Sequence, residues 1–484
     1  MKRALLLLLS LTIPVLAQQV TPPAPGAPRE AKLPQPVEKT LTNGLRVIVV
    51  PKHDIPLVAT QLTFKTGGAA DPKGKDGLAQ LTATVLTKGT KTRGAEEIAR
   101  GVEALGATLG SNAGWDSSSV DLSVMSSNLA KAMEYVSDAA RNATFAKDEV
   151  ERERAQAIDA LQVNLGEPRA LASVVAARLI FGETPYGHNL EGTPASLETI
   201  TREDLMKFHA AHYRPDNAVL VLAGDVKAED AFRLAQAQFG SWKKGATPAP
   251  SAATASSPTG TSKPRVVVVD MPEAGQSAVA VGRAGIRRGD PAYMSALVTN
   301  SVLGNGYSSR LNQEIRIRRG LAYGAGSSFD SRATPGPFLA RTETKHETAA
   351  EVVSIIVNEL NRLASSDVAE AELTTRKAVL IGDFGQSLET TSGIVNRVAR
   401  LAVYGLPLSE INRYVSGVQA VNAAQVRKFA SSNLGGKDMN VVVVGDGKVF
   451  LEALRKQFGE VEVIPAAELD LGSATLRVKK VAAE

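Results

Sequence analysis

Hydrophobic positions along this chain follow two different periods. Short runs rich in β-branched residues recur, as in Leu45-Arg46-Val47-Ile48-Val49-Val50 and Ala218-Val219-Leu220-Val221-Leu222-Ala223. Elsewhere apolar residues return every three or four positions, at 95–105, 129–140 and 350–363, which is the spacing of one buried helix face. The Asn43-Gly44 pair stands inside the first β-branched segment and supplies the turn of a hairpin. Strands and helices do not alternate strictly. The expected class is therefore α+β, with helices packed on largely antiparallel sheets.

The pattern also repeats. Ile200–Phe208 and Val421–Phe429 share one arrangement, each opening on a capping residue, Thr201 or Asn422, with Asp204 or Gln425 three positions later. An all-apolar strand follows each at the same offset, 218–225 and 440–446. Each strand then leads into a helix that ends Gln-Phe-Gly, at Gln238-Phe239-Gly240 and, after a two-residue slip, at Gln457-Phe458-Gly459. Between the copies, 244–264 is Pro, Ala, Ser and Thr with almost nothing to bury, which marks a flexible linker. Two homologous domains, 37–243 and 265–465, are expected around it, with a tail at 466–484.

The start of the chain reads as an address. Lys2-Arg3, an apolar run from Ala4 to Leu16 and the small residues Val15 and Ala17 before Gln18 make 1–17 a secretory signal peptide, followed by a Pro-rich lead-in over 18–36. A retained membrane helix is the alternative, but it needs about 20 apolar residues and this run stops short. The chain of 484 residues has no Cys, which excludes a disulfide framework and a lipid-anchored Cys. Its 55 Lys+Arg against 50 Asp+Glu is too even a balance for a nucleic-acid partner. The periplasm is the expected location, with full secretion as the alternative.

Several short segments occur in a telling order: Asn43-Gly44-Leu45, Gly77-Leu78-Ala79, Lys88-Gly89-Thr90, Pro185-Tyr186-Gly187, Tyr213-Arg214-Pro215-Asp216-Asn217 and Gly445-Asp446. Over nearly the whole mature length the chain resembles the pitrilysin, insulin-degrading-enzyme and mitochondrial-processing-peptidase group of zinc peptidases. The resemblance implies two LuxS/metallohydrolase-like domains. Active members carry an inverted His-x-x-Glu-His motif. Positions i, i+3 and i+4 share a helix face, so two imidazoles bind zinc and the Glu serves as general base. A Glu on a later helix is the third ligand.

Aligned on Gly77-Leu78-Ala79, these slots hold Gln80, Ala83 and Thr84, and alignment on Glu153-Arg154 puts the third-ligand slot at Ala160. A neutral amide, a methyl and a hydroxyl supply neither ligands nor a base at neutral pH. Asp159 points about 100° away from Ala160 around the helix. His209 and His212 are three apart, a spacing that permits metal binding, yet no carboxylate joins them at the expected spacing and a packing or surface role is preferred. No metal and no cofactor are expected in this chain.

The second half differs. Within Ser308–Tyr323 the resemblance places Arg316 and Tyr323 at the family's substrate-contacting Arg and Tyr, which hold a peptide carbonyl and stabilise the oxyanion that forms on it. Arg318 and Arg319 read as a solvated basic face, Arg310 as structural, and Gly304-Asn305-Gly306 as a turn. The resemblance thus implies the zinc-less subunit of a periplasmic heterodimeric metallopeptidase, inactive alone. Its expected partner is a zinc-bearing paralogous subunit, and its substrate an unfolded peptide. The alternatives are a non-catalytic peptide-binding or assembly subunit of the same fold, and a stand-alone metallopeptidase with unrecognised ligands.

Overall fold

The computed structural model describes residues 34–245 and 263–478. The signal segment 1–17, the lead-in up to 33, the linker from 246 to 262 and the tail beyond 478 lie outside the described residues. Among the described residues no helix is long and apolar enough to cross a membrane.

Each half builds a six-stranded sheet. The first comprises β1 (Val37–Thr40), β2 (Arg46–Pro51), β3 (Leu57–Phe64), β4 (Thr108–Ala113), β5 (Ser118–Met125) and β6 (Ala218–Gly224), in the order β1-β2-β6-β3-β5-β4. The second comprises β7 (Val266–Asp270), β8 (Ser277–Ala284), β9 (Ala325–Phe329), β10 (Pro337–Thr344), β11 (Asn440–Gly445) and β12 (Glu462–Pro465), in the order β12-β7-β11-β8-β10-β9. The orders correspond strand for strand except at one edge. There β1 pairs antiparallel with β2 around the Asn43-Gly44 turn, whereas β12 arrives from the far end of the chain and pairs parallel with β7. As expected, the sheets are largely antiparallel, and each also holds parallel pairings. β6 and β11 return after a helical excursion and insert between two strands, parallel to β2 or β7 and antiparallel to β3 or β8. Every residue of β6 and β11 is buried, since each is sandwiched on both faces, and this is why both are apolar apart from Asn440 at the start of β11.

Six helices set the architecture around these sheets: α1 (Leu78–Val85), α2 (Lys147–Leu165), α3 (Pro168–Phe181), α4 (Arg202–His212), α5 (Thr391–Val403) and α6 (Ala423–Asn433). Both repeated capping sequences form complete capping boxes, Thr201 with Asp204 at the start of α4 and Asn422 with Gln425 at the start of α6.

One face of the first sheet, with Val47, Val49, Leu62 and Leu220, packs on helices of its own half. The other face, with Ile48, Val50, Ala59, Val219 and Val221, is covered by Val395, Val398, Ala399 and Ala402 of α5, from the second half. The second sheet is treated reciprocally. Its face formed by Val267, Val269, Ala278, Ala280, Val442 and Val444 is covered by Leu171, Ala172, Val175, Ala176 and Leu179 of α3, from the first half. Each Val or Leu buried in this way contributes about 1.5–3 kcal/mol, so neither sheet is stable without the opposite half.

A buried carboxylate seals the junction. Asp116, in the turn between β4 and β5, accepts from the hydroxyl of Tyr186 (2.5 Å), the hydroxyl of Tyr404 (3.0 Å) and the amide of Ala333 (2.9 Å). Tyr186 belongs to the first half and the other two to the second. Burial, and then the charge of Asp116, push both phenols above their ordinary range, so they remain donors. The Arg332 guanidinium closes the knot over the rings of Trp115 (4.4 Å) and Tyr186 (4.6 Å).

Reciprocal covering predicts that residues 34–245 expressed without the second half bind a hydrophobic dye and lack near-ultraviolet circular dichroism, and that co-expression with 263–478 restores both to the values of the intact chain. A first half that reaches a fixed tertiary structure alone would contradict the exchange.

Candidate functional site

α1 is anchored from below. Gly77, with φ 95°, lies so close to the Glu191 carbonyl that a Cβ would stand 2.8 Å from it. The Asp71 carboxyl accepts from the amides of Gly77 (2.9 Å) and Ala79 (2.8 Å), satisfying free N–H groups at the helix start. Asp71 is fully buried, and desolvation raises its pKa against the opposing effect of His188, whose Nε2 is 3.5 Å away.

Gln80 and Thr84 of α1 and Ala160 of α2 line one cavity of about 280 Å³, together with Glu153, Gln156 and Leu161. The structure thus brings together three of the four slots that the sequence singles out. Ala83 is wholly buried in the first-half core and offers no surface to the cavity. The oxygen atoms of the slots are already engaged. Gln80 Oε1 accepts from the Ala113 amide at the end of edge strand β4 (3.0 Å), and Thr84 Oγ1 donates to the Gln80 carbonyl (3.0 Å). The Glu153 carboxylate is shared between Arg152 (2.7 Å) and Lys88 (3.1 Å). Asp159 is exposed and outside the lining. Catalytic zinc takes three His or carboxylate ligands and keeps an open position; a carboxamide, a hydroxyl and two methyls do not fit it. Among the described residues no group of three His, Cys, Asp or Glu is placed to hold a metal ion.

The two spaced histidines are packing residues. His209 Nε2 meets the Ala140 carbonyl at 2.9 Å and its ring stacks on Tyr213 at 4.9 Å. His212 lies against Phe208 with ring centroids 4.5 Å apart, and burial together with the charge of Arg214 lowers its pKa from 6.5 to about 4.

The opposite wall has free donors. Around Arg310–Asn312 the chain is α-helical, and Gln313–Arg318 is wound in the wider π form, a local irregularity that often re-aims functional side chains. Arg310 is buried and doubly bonded to Glu372 (2.7 and 2.8 Å). Arg318 pairs with Glu314, and Arg319 with Glu314 (3.6 Å) and Glu351 (3.2 Å). Arg316 makes no ion pair among the described residues. Its guanidinium instead lies between two aromatic rings, 4.7 Å from the centroid of Tyr323 and 5.0 Å from that of Tyr307. Tyr323 is 90% exposed and Tyr307 62%, and Arg316 beside them is half-buried. Tyr307 escapes sequence reading, because its only local signal is a position just past the Gly304-Asn305-Gly306 turn.

Tyr323 sits on a second cavity, of about 430 Å³, that has no residue in common with the cavity of Gln80 and Thr84. Arg316 and Tyr323 therefore do not form one site with the degenerate motif of their own chain. Chemically, this wall offers an always-charged fork donor and a phenol, both suited to a carbonyl oxygen on which negative charge grows.

Residues 46–193 match the family model of insulinase (peptidase family M16), and residues 199–380 match the one described as the peptidase M16 inactive domain. An uncharacterized zinc protease of Mycobacterium tuberculosis is 30% identical over 411 residues, which span 84% of this chain and 92% of the relative. The non-peptidase homolog YmxG of Helicobacter pylori is 23% identical over 403 residues, 83% of this chain and 92% of that protein. Among solved structures, the peptidase M16 inactive domain from Pseudomonas fluorescens superposes with a TM-score of 0.78 at 27% identity, covering 85% of this chain and 98% of its own. A protease from Helicobacter pylori has the same fold, with a TM-score of 0.81 at 23% identity over 86% of this chain and 100% of that one.

Two outcomes follow from this geometry. The combined variant Gln80→His, Thr84→His, Ala160→Glu should bind stoichiometric zinc by elemental analysis, whereas the parent chain binds none. The depressed pKa of His212 means that the unfolded chain takes up a proton that the folded chain refuses between about 6.5 and 4. Stability should accordingly fall as pH drops through that window, and denaturant titrations of His212→Phe should show a shallower pH dependence.

Proposed function

Since the chain belongs to the insulinase family, peptidase family M16, and its metal slots hold Gln80, Ala83, Thr84 and Ala160, we propose that it is the zinc-less subunit of an exported two-chain peptidase. In this reading it lends Arg316 and Tyr323 to the active site of a zinc-bearing sister subunit. It is a non-catalytic M16 subunit by itself, because the motif slots in the cavity at α1 and α2 hold no metal ligand or base, and the carboxylate of Glu153 there is tied to Arg152 and Lys88.

The observation that carries the proposal is the state of the Arg316–Tyr323 wall: exposed, without a carboxylate partner among the described residues, and separate from the degenerate cavity. Donors that are built but unused within a chain suit work across an interface. With a peptide clamped between the subunits, the Arg316 guanidinium and the Tyr323 hydroxyl would bind the scissile carbonyl oxygen. Both bonds strengthen as that oxygen gains negative charge, so they favour the transition state over the bound peptide. Tyr307, whose ring centroid is also within 5.0 Å of the Arg316 guanidinium, restricts where it points. Hydrolysis itself belongs to the sister, and an unfolded peptide is the substrate that fits between two such walls. The signal segment at 1–17 supports a periplasmic site of action.

A second reading is a peptide-binding or assembly subunit that contributes nothing to turnover. The non-peptidase homolog of Helicobacter pylori favours it. The two readings part in one experiment, in which the mature chain is mixed with a zinc-bearing sister protein and peptide hydrolysis is measured. Loss of a transition-state donor in Arg316→Ala should lower kcat about 10²- to 10³-fold, with a smaller effect for Tyr323→Phe. Turnover unchanged by Arg316→Ala, with the complex still assembled, would favour the second reading.

A further inference from the structure

The cavity beside Tyr323 lies between α3 and the last two strands of the second sheet. Its floor is made by Gly324, Gly326 and Ser328, its sides by Arg341 of β10 and Arg169 at the start of α3. A ligand cannot enter by adding a strand to β9. The outward amides of Ala325 and Ser327 already donate to Asn312 Oδ1 (3.2 Å) and to the Gly304 carbonyl (3.0 Å). What the groove offers is side-chain chemistry over a glycine floor.

Arg341 is the unusual group there. It is half-buried, no carboxylate lies within ion-pair distance of it among the described residues, and its guanidinium reaches only the Ser173 and Ser328 hydroxyls, each at 3.5 Å. The nearby cation Arg169 is only loosely paired, with Glu343 at 3.7 Å. Burial, and then the like charge of Arg169, lower the pKa of Arg341 against the weaker opposing pull of Asp330, which lies beyond ion-pair distance. A half-buried guanidinium with no anion in contact gives up hydration without a paired charge in return.

The internal repeat supplies a control. Asp121 of β5 occupies the equivalent place in the first half. It lies opposite edge-strand Gly110 as Arg341 lies opposite Gly326, and each precedes its own short 3-10 turn, Ser126–Asn128 or His346–Thr348, by the same number of residues. Asp121 is saturated, by Gln61 (2.5 Å), Ser119 (2.7 Å) and Asn112 (3.3 Å). One groove satisfies its charge with its own side chains, and the other leaves its charge open.

We propose that the groove between α3 and β9–β10 is a carboxylate-binding subsite, in which Arg341, with Ser328 and Arg169, receives an acidic side chain or the C-terminal carboxylate of a peptide lying against Tyr323. The site selects acidic or C-terminal segments of the substrate. The peptide's course past Tyr323 rests on the reading of Arg316 and Tyr323 given above, but capture of a carboxylate by this chain alone does not.

The test uses the mature chain and three labelled peptides of equal length, followed by fluorescence anisotropy. One carries a Glu and an amidated end, one has neutral side chains and a free C-terminus, and one is neutral and amidated. At least one carboxylate peptide should bind about tenfold more tightly than the neutral amide, a difference of about 1.4 kcal/mol, and the advantage should shrink with added salt. Whichever peptide gains identifies the source of the carboxylate. Arg341→Gln should erase the preference and Arg341→Lys should keep part of it. Equal affinities for the three peptides, no measurable binding, or a preference that survives Arg341→Gln in a variant with the parent's melting curve would overturn the proposal. Loss of turnover in the Arg316→Ala mixture is an independent readout, so failure of this site and failure of the cross-subunit reading remain distinguishable.

Discussion

Each sheet owes one covered face to a helix from the other half of the chain. α5 lies on β3 and β6, and α3 lies on β8 and β11. A sheet with both faces apolar needs a layer on each side, and here one layer of each sheet comes from the other half. The exchange makes the two halves one cooperative body, although the sequence reads as two tandem domains. Asp116 reinforces it by drawing three donors from both halves onto a single buried carboxylate, an arrangement that would be expensive to leave partly satisfied.

The same exchange places the grooves. α5 walls the groove that contains Asp121, and α3 walls the one that contains Arg341 and ends at Tyr323. Because each groove lies between a sheet of one half and a helix of the other, its shape depends on the junction and not on either repeat. Pseudo-symmetry then permits divergence. Equivalent positions carry opposite charges, one neutralised by neighbouring donors and one not, and the sequence of one half gives no hint of the other's state.

The emptied motif helix keeps its fold because nothing structural depended on a metal. Asp71 caps α1 at its start, Gln80 turns its amide to the end of β4, and Thr84 bonds back to its own helix. The side-chain oxygens of Gln80 and Thr84 have local partners, and the core around Leu78, Leu81 and Val85 is closed. The Arg316 wall shows the reverse. Arg316 has two ring contacts and no ion pair among the described residues.

Much of this was legible in the chain. The hairpin at Asn43-Gly44, the capping boxes at Thr201 and Asn422, the buried strands β6 and β11 and the shared face of Gln80 and Thr84 depend on residues a few positions apart, and short-range periodicity encodes them. The tertiary structure alone decided the parallel pairing of β6 with β2, the exchange of α3 and α5, the stacking of Tyr307 on Arg316, and the contrast between a saturated Asp121 and an open Arg341. Each of these turns on which side chains from distant segments meet, or fail to meet, a given charge or face. Spacing along the chain carries no record of such encounters.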